Sequence, residues 1–278
     1  MGKGLVLYGH RGASAELPEN TIAAFRRALD RGATALEMDV HMTLDGHVVV
    51  AHDAGGRRMA GVPRDIRLSS LRDVQSWDVG YGFQDAHGER PFLGQGFHIP
   101  LLEEVLEEFP GVPLNIDIKQ ADPSMTRPLL ELIRRHGAEG RVLLASFFDD
   151  VLREVRALGY RGPMALGRHD IERLLCSPAR LIEMGLVRTH GTSVQVPVRH
   201  GPLRFATQSF VDKCHRLGLR VDFWTINDEE TARLLVDLGA DGIMSDDPAR
   251  VAKVLPLSSS PTRHPSPVAQ RQGGKAAR

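Results

Sequence analysis

Short apolar runs rich in β-branched residues alternate with longer stretches of helical period along most of this chain. The apolar runs predict strands over residues 5–8, 35–40, 48–51, 113–118, 142–145, 164–167, 192–196, 219–224 and 242–244. The stretches between them predict helices over residues 21–31, 102–108, 123–136, 149–158, 171–184, 207–216 and 228–238. Because strands that alternate with helices are typical of a parallel sheet, the pattern predicts an α/β fold.

The number of strands indicates which α/β fold the chain adopts. Asp45-Gly46 is a hairpin signal, so the run at 48–51 is interpreted as an antiparallel partner of the strand before it. The other runs supply the eight strands that a closed barrel needs, and the 278 residues suit a barrel of roughly 250. The sequence therefore predicts a (β/α)8 TIM barrel over residues 1–256, with an insertion at about 54–98 and a disordered tail at 257–278.

Opposite charges balance in this chain, which has 35 lysines and arginines against 35 aspartates and glutamates. This balance argues against a nucleic-acid surface and against a polybasic membrane patch. The apolar run at 5–8 is too short for a signal peptide, and no apolar stretch approaches the roughly 20 residues that span a bilayer. We therefore expect a cytoplasmic protein with no nucleic-acid partner and no stable membrane insertion.

Carboxylates, imidazoles and a guanidinium that could share one site are concentrated near the N-terminus. Glu37 and Asp39 are two apart in a predicted strand, so their carboxylates leave the same face and invite a divalent cation. Hard oxygen ligands favour Mg²⁺ or Ca²⁺. His10 and His52 follow strand ends and exchange protons near neutral pH, as in-line attack on phosphorus requires. Arg11 offers a planar donor fork for two phosphoryl oxygens, with a salt bridge to Glu37 or Asp39 as the alternative.

In this order the motifs resemble the glycerophosphodiester phosphodiesterase family, and the resemblance covers the chain up to the tail. The residues that carry it are His10-Arg11-Gly12-Ala13, Pro18-Glu19-Asn20-Thr21, Glu37-Met38-Asp39-Val40, Asp45-Gly46, His52-Asp53, the segment 99–105, the segment 115–119, Ser146-Phe147 and Trp224-Thr225-Ile226-Asn227. The resemblance implies a metal-dependent barrel enzyme that converts a small glycerophosphodiester and water into an alcohol and sn-glycerol 3-phosphate. It also implies that His10 and His52 are the general acid and base, without indicating which is which.

Asp117 and Lys119 repeat the two-residue spacing on a later strand. The resemblance implies a third metal ligand at position 117 and a lysine at 119 that contacts phosphate or balances charge. The family usually carries Glu where this chain has Asp117, so the carboxylate reaches less far by one methylene. The alternative for this pair is an internal ion pair between Asp117 and Lys119.

Other residues near strand ends have weaker expectations. Trp224 ends a predicted strand and is interpreted as an apolar wall against the glycerol or alcohol carbons, with a core position as the alternative. Residues 19–21 are expected to start the first helix, and Ser146 contacts substrate or forms a turn. Helix caps without a catalytic role are expected at Asn227, Asp228, Asp246 and Asp247.

Two other functions stay open at this point. A phospholipase D that cleaves lysophospholipids would read an acyl chain through the aromatic residues of the insertion, which are Trp77, Tyr81, Phe83, Phe92 and Phe97. A barrel that binds a phosphate ligand without turnover would result if the Asp117 replacement abolished catalysis.

Overall fold

A parallel sheet forms the centre of the protein in this computed structural model, which describes residues 4–255. The predicted tail at 257–278 lies outside these residues. The strands are β1 (Val6–His10), β2 (Ala35–Met42), β3 (Val48–Val50), β4 (Leu114–Ile118), β5 (Val142–Ala145), β6 (Ser193–Pro197), β7 (Arg199–His200), β8 (Leu203–Arg204), β9 (Arg220–Trp224) and β10 (Gly242–Ser245). The sheet runs in the order β5-β4-β2-β1-β10-β9-β6, and β7 and β8 form a separate hairpin. As the Asp45-Gly46 turn predicts, β3 is antiparallel to β2.

The two ends of this sheet are joined by the segment that was predicted as a strand at 164–167. Met164 makes a parallel bridge to Leu144 in β5, and Ala165 makes one to Ser193 in β6. The segment is shorter than predicted because Gly167 already caps the next helix. Eight parallel segments therefore close the barrel, and the predicted (β/α)8 fold is confirmed.

Most of the helices follow strands and cover the outside of the barrel. The helices are α1 (Ile22–Asp30), α2 (Arg57–Ala60), α3 (Leu71–Gln75), α4 (Leu102–Glu108), α5 (Thr126–Arg135), α6 (Asp149–Ala157), α7 (Arg168–Cys176), α8 (Ala179–Glu183), α9 (Gln208–Arg216), α10 (Glu229–Asp237) and α11 (Pro248–Ala252). Of these, α2 and α3 lie within residues 54–98. The helix predicted at 171–184 is split into α7 and α8. Pro178 causes the break, because the residue before a proline is driven out of helical geometry and Ser177 is extended. No helix within residues 4–255 has the length and apolar character needed to cross a membrane.

Strand β2 shows how the sheet separates core from site. Leu36, Met38 and Val40 are fully buried in the apolar layer between the sheet and the helices. The alternate residues, Glu37 and Asp39 among them, point to the inside of the barrel because successive strand side chains leave opposite faces. They are buried as well, so the barrel interior holds charges while the outer layer supplies the hydrophobic stabilisation.

Residues 54–98 lie between β3 and α4 and have a small core of their own. Met59, Ile66, Val74, Trp77 and Val79 are buried there, and they pack against the end of β3. Trp77 is 5% exposed, so its ring fills this core and contributes no aromatic surface at the rim. Three aromatic rings of the segment lie closer to the surface and stack edge to face, namely Phe83, Phe92 and Phe97.

Candidate active site

The strand register brings the predicted acidic residues and one histidine together inside the barrel. His10 is the last residue of β1 and lies opposite Glu37 of β2. Asp39 of β2 lies opposite Asp117 of β4. His52 follows β3, whose antiparallel pairing returns the chain toward Asp39, as the hydrogen bond from the Ala51 amide to the Asp39 carbonyl shows. The active sites of such barrels lie at the carboxyl ends of the strands.

Two cationic side chains occupy the centre of this acidic cluster. Lys119 Nζ lies 2.7 Å from Asp117 Oδ2 and 3.1 Å from Asp39 Oδ1. Arg11 Nε lies 3.3 Å from Asp39 Oδ2, and Asn20 Nδ2 donates to the same oxygen over 3.0 Å. Both ion pairs that the sequence left as alternatives are therefore present, one at Arg11 and one at Lys119.

Burial makes the protonation of these carboxyls unequal. Burial and the neighbouring Asp39 raise the pKa of Glu37 to about 8. Burial also raises the pKa of Asp117, although Lys119 opposes the effect. Burial alone would raise the pKa of Asp39, but Lys119 and Arg11 outweigh it and hold that pKa below its usual range. Asp39 is thus the one carboxyl group of the three whose pKa the two cations lower.

The backbone of the loop after β1 is held in an unusual conformation. Arg11 has φ of 56° and Asn20 has φ of 57°, both in the left-handed region. The Arg11 amide donates to the Glu37 carbonyl and to Glu37 Oε2, each over 3.0 Å. At Gly12, with φ of 87°, a Cβ would lie 2.6 Å from the backbone of Ala24, so glycine is required there. These constraints fix the Arg11 backbone and therefore the direction in which its side chain leaves the chain.

His10 is held by a carboxylate at the end of another strand. Its Nδ1 lies 2.6 Å from Asp246 Oδ1, directly after β10. Asp246 also accepts from Ser14 Oγ over 2.9 Å and from Asn227 Nδ2 over 2.8 Å. Burial opposes ionisation of Asp246, but the charge and hydrogen bond of His10 and the bonds from Asn227 and Ser14 together outweigh it and lower that pKa to about 2. The other ring nitrogen of His10, Nε2, lies 3.9 Å from Glu37.

His52 is held in a similar way by the next residue in the chain. Its Nδ1 lies 2.7 Å from Asp53 Oδ1. Arg58, from the first short helix of the insertion, donates to Asp53 as well. Burial opposes ionisation of Asp53, but Arg58 and His52 outweigh it and hold the pKa of Asp53 below its usual range. Both histidines therefore have a carboxylate on Nδ1, an arrangement that fixes the orientation of each imidazole ring.

Aromatic side chains form one wall of the barrel mouth. Trp224 is the last residue of β9, and its ring meets Phe147 edge to face with centroids 6.1 Å apart. Phe147 is 62% exposed, and Lys119 Nζ lies 5.3 Å from its ring centroid. Ser146 Oγ donates to the Ile118 carbonyl and accepts from the Phe148 amide, so its hydroxyl forms a turn.

The expectation that Asp246 and Asn227 serve only as helix caps is wrong. Asp228 and Asp247 do cap α10 and α11 through their side chains. Asn227 instead accepts from the Asp246 amide and donates to its carboxylate. The adjacent pair Asp246-Asp247 could have indicated a second role, because a helix cap needs only one of the two side chains and the other is left for a different contact.

Other site residues were also missed or given a smaller role by the sequence reasoning. Glu19 was expected only to start the first helix, but it contacts the Arg11 guanidinium over 3.3 Å, whereas Thr21 is the cap of α1. Arg58 has no signal in its local sequence, because its partners lie outside its own helix. Asp53 was visible beside His52 but received no role.

A different group of potential metal ligands has its ligand atoms closer to one another than those of the predicted set. Within residues 4–255, Glu103, Glu107 and His136 have ligand atoms that all lie within 4.8 Å of one another. Glu103 is also 3.6 Å from Arg135, and the three side chains lie where α4 meets the end of α5. Of the predicted carboxylates inside the barrel, Asp39 and Asp117 are instead linked through the ammonium group of Lys119.

Comparison with known proteins places this arrangement in a family. The model of the glycerophosphoryl diester phosphodiesterase family matches residues 10–250. The glycerophosphodiester phosphodiesterase of Caldanaerobacter subterraneus subsp. tengcongensis is 32% identical over 257 residues, which is 90% of this chain and 97% of that relative. Lysophospholipase D GDPD1 of Homo sapiens is 27% identical over 268 residues, covering 88% of this chain and 84% of the human protein.

A solved structure extends the likeness to the fold. The crystal structure of glycerophosphodiester phosphodiesterase from Thermotoga maritima has a TM-score of 0.67 and 26% sequence identity. The match covers 91% of this chain and all of that one, 100%. With the family match over most of the sequence, the barrel and the cluster of histidines and carboxylates, the conclusion is that this chain belongs to the glycerophosphoryl diester phosphodiesterase family of hydrolytic enzymes.

Proposed function

We propose that this enzyme hydrolyses glycerophosphodiesters to an alcohol and sn-glycerol 3-phosphate, with His10 and His52 transferring the protons. The observation that carries the proposal is the pair of histidines, each held through Nδ1 by a carboxylate, beside a buried cluster of carboxylates and cations. One imidazole takes the proton from the attacking oxygen. The other gives a proton to the departing alcohol oxygen, so neither oxygen has to carry a full charge.

We propose that Arg11 and Lys119 bind the phosphate, and that Trp224 contacts the glycerol carbons. Arg11 and Lys119 stay close to the site centre because Asp39 pairs with both. Their positive charges would stabilise the negative charge that develops on the phosphoryl oxygens. Trp224 and Phe147 provide an apolar face at the same opening.

We further propose that Glu37, Asp39 and Asp117 hold one divalent cation, Mg²⁺ or Ca²⁺. The donor set fits, because three buried carboxyl groups face only two cationic side chains and Asp117 Oδ1 is buried without a hydrogen-bond partner. A cation here would also favour the ionised form of Glu37, whose pKa is otherwise about 8. When bound, the ion supplies Lewis-acid stabilisation of the phosphoryl charge.

The proposal is tested by product analysis with and without metal. Glycerophosphocholine is incubated with the protein, and sn-glycerol 3-phosphate is quantified before and after removal of divalent ions and their replacement by Mg²⁺ or Ca²⁺. We expect turnover that is lost on chelation, is restored by one of the two ions, and falls strongly in Glu37→Gln. Turnover that continues after chelation would contradict the metal proposal, and failure to release sn-glycerol 3-phosphate under any condition would overturn the function.

The shorter carboxylate at position 117 has its own test. If Asp117 reaches the ion less closely than a glutamate would, Asp117→Glu should lower the Mg²⁺ or Ca²⁺ concentration that gives half-maximal activity. We expect a change of up to about tenfold, the lower end of the effects that ligand environment has on metal affinity. A higher requirement for metal in Asp117→Glu would show that the site is built for the shorter side chain.

A second candidate function is the cleavage of lysophospholipids, supported by a cavity beside the site. The cavity has a volume of about 310 Å³ and lies between the loop after β1 and the insertion. Its apolar lining includes Val50, Met59, Val79, Phe83 and Ile99. Choline release from lysophosphatidylcholine and from glycerophosphocholine would distinguish the two functions. Faster release from the lysolipid, reduced by Phe83→Ala, would favour the second.

A further inference from the structure

Arg58 connects the insertion to the barrel through two carboxylates at once. Its Nη1 and Nη2 donate to the two oxygens of Glu19 over 3.0 and 2.7 Å. Its Nε and Nη2 donate to the two oxygens of Asp53 over 2.7 and 3.0 Å. Both pairs are therefore bidentate, a geometry that the planar guanidinium provides and an ammonium group does not.

Each carboxylate that Arg58 binds also touches a residue of the proposed site. Asp53 Oδ1 lies 2.7 Å from His52 Nδ1, and the same oxygen accepts from Arg58. Glu19 Oε1 accepts from Arg11 Nη1 over 3.3 Å and from Arg58 Nη2. One guanidinium therefore fixes the carboxylates that orient a histidine and an arginine on the barrel.

The ion pairs of Arg58 have features that an incidental surface ion pair lacks. Glu19 and Asp53 are more than half buried, with 24% and 28% of their side chains exposed, so they are partly shielded from water. Two such carboxylates around one point repel each other unless a cation lies between them. Arg57, the neighbouring residue on α2, is exposed and makes no ion pair within the described residues.

We infer that Arg58 is a positioning residue, by which the insertion sets the orientation of His52 through Asp53 and of Arg11 through Glu19. The inference rests on the proposed role of His52. Without the guanidinium, Asp53 can rotate away from His52 Nδ1, and Glu19 loses the partner that holds it against Arg11. Through Arg58 the insertion takes part in catalysis by orienting residues that lie outside it.

The first experiment compares Arg58→Ala with Arg57→Ala as a matched control on the same helix. We expect Arg58→Ala to lower kcat about 10- to 100-fold, while Arg57→Ala stays within about twofold of the parent enzyme. Arg58→Lys should retain an intermediate activity, because it keeps the charge and loses the fork. Equal activity of Arg58→Ala and Arg57→Ala would overturn the inference.

A second measurement separates positioning from a general effect on folding. If Arg58 acts through Asp53, then Arg58→Ala should cost much less in an Asp53→Asn background than in the parent enzyme. Added guanidinium ion should partly restore kcat in Arg58→Ala, whereas urea at the same concentration should not. Losses that multiply in the double variant, together with no restoration by guanidinium, would assign Arg58 a purely structural role.

A third variant keeps this result distinct from failure of the proposed function. His52→Ala is assayed beside the others with glycerophosphocholine. If His52→Ala keeps full turnover, the proposed function itself fails. If His52→Ala is inactive while Arg58→Ala behaves like Arg57→Ala, only the inference about Arg58 fails.

Discussion

The two histidines of the site are held by the same chemical arrangement, but the protein builds that arrangement in two different ways. The His10 arm, formed by His10 and Asp246, joins residues 236 positions apart. The His52 arm, formed by His52 and Asp53, joins neighbours in the chain. The His10 side chain is 15% exposed and that of His52 is 32% exposed. One arm therefore belongs to the barrel and the other to its surface.

Strand pairing is what brings the His10 arm together. β1 and β10 are adjacent parallel strands, so His10 and Asp246 both lie at their carboxyl ends. The His52 arm depends instead on Arg58, which reaches it from the insertion. The difference teaches that one histidine is oriented by the pairing of barrel strands, whereas the other is oriented by a segment that lies outside those strands.

The largest expected effect is the loss of kcat when either histidine is removed, and it should be similar for the two arms. We expect His10→Ala and His52→Ala each to lower kcat by about 10²- to 10⁴-fold, the usual contribution of a general acid or base. The exposed His87 supplies a control, and His87→Ala should leave kcat unchanged. A steady-state assay with glycerophosphocholine measures all three. If removal of a histidine lowers kcat by less than about tenfold, that histidine has no proton-transfer role. The two arms would then no longer be functional equivalents.

The next largest difference should be in how much each arm contributes to the free energy of unfolding. Asp246→Asn removes a carboxylate that accepts from three side chains, so we expect the free energy of unfolding to fall by about 1–3 kcal/mol. Asp53→Asn affects a pair whose histidine is more exposed, 32% against 15%, so we expect a smaller loss of about 1 kcal/mol. Urea unfolding at neutral pH measures both. Equal losses would show that the His52 arm is as much part of the fold as the His10 arm.

The pH dependence of stability should sharpen the same contrast. The folded pKa of Asp246 is about 2, below the ordinary value of 3.8, so this group stabilises the protein above about pH 4. That contribution, roughly 2 kcal/mol, is lost as the pH falls from about 4 toward 2. The difference in unfolding free energy between the parent enzyme and Asp246→Asn should therefore shrink across this range. A difference that stays constant would contradict the low pKa of Asp246.

Salt should produce the smallest effect, and only in one arm. The Arg58 ion pairs are half exposed and are screened as ionic strength rises from about 0.05 M to about 1 M. We expect kcat of the parent enzyme to fall by less than about threefold over this range, and the Arg58→Ala variant to respond less. An equal response of both enzymes would place the salt effect on charges other than that of Arg58.

Some parts of this site followed from short-range patterns in the sequence. The period of the apolar runs predicted the barrel, and the two-residue spacing placed Glu37 with Asp39 and Asp117 with Lys119 on inward faces. Asp45-Gly46 predicted the hairpin that returns the chain to His52. These predictions work because side-chain direction in a strand depends only on position along it.

Other parts depend on contacts between distant segments. A closed barrel places the last strand beside the first, but that Asp246 then meets the His10 ring is a side-chain contact that neither local sequence indicates. The joining of Glu19 to Asp53 requires Arg58 to reach from one segment to two others. Propensity and spacing act within a few residues, whereas such contacts arise only when the barrel has closed.

The sequence by itself thus determined the fold class, the family and the chemical groups available, because periodicity and motifs are read along the chain without its three-dimensional contacts. Only the tertiary structure decided which carboxylate orients which histidine and which cations share Asp39. The physical reason is that hydrogen bonds and ion pairs depend on distances of about 3 Å between side chains. Packing of the whole molecule sets those distances.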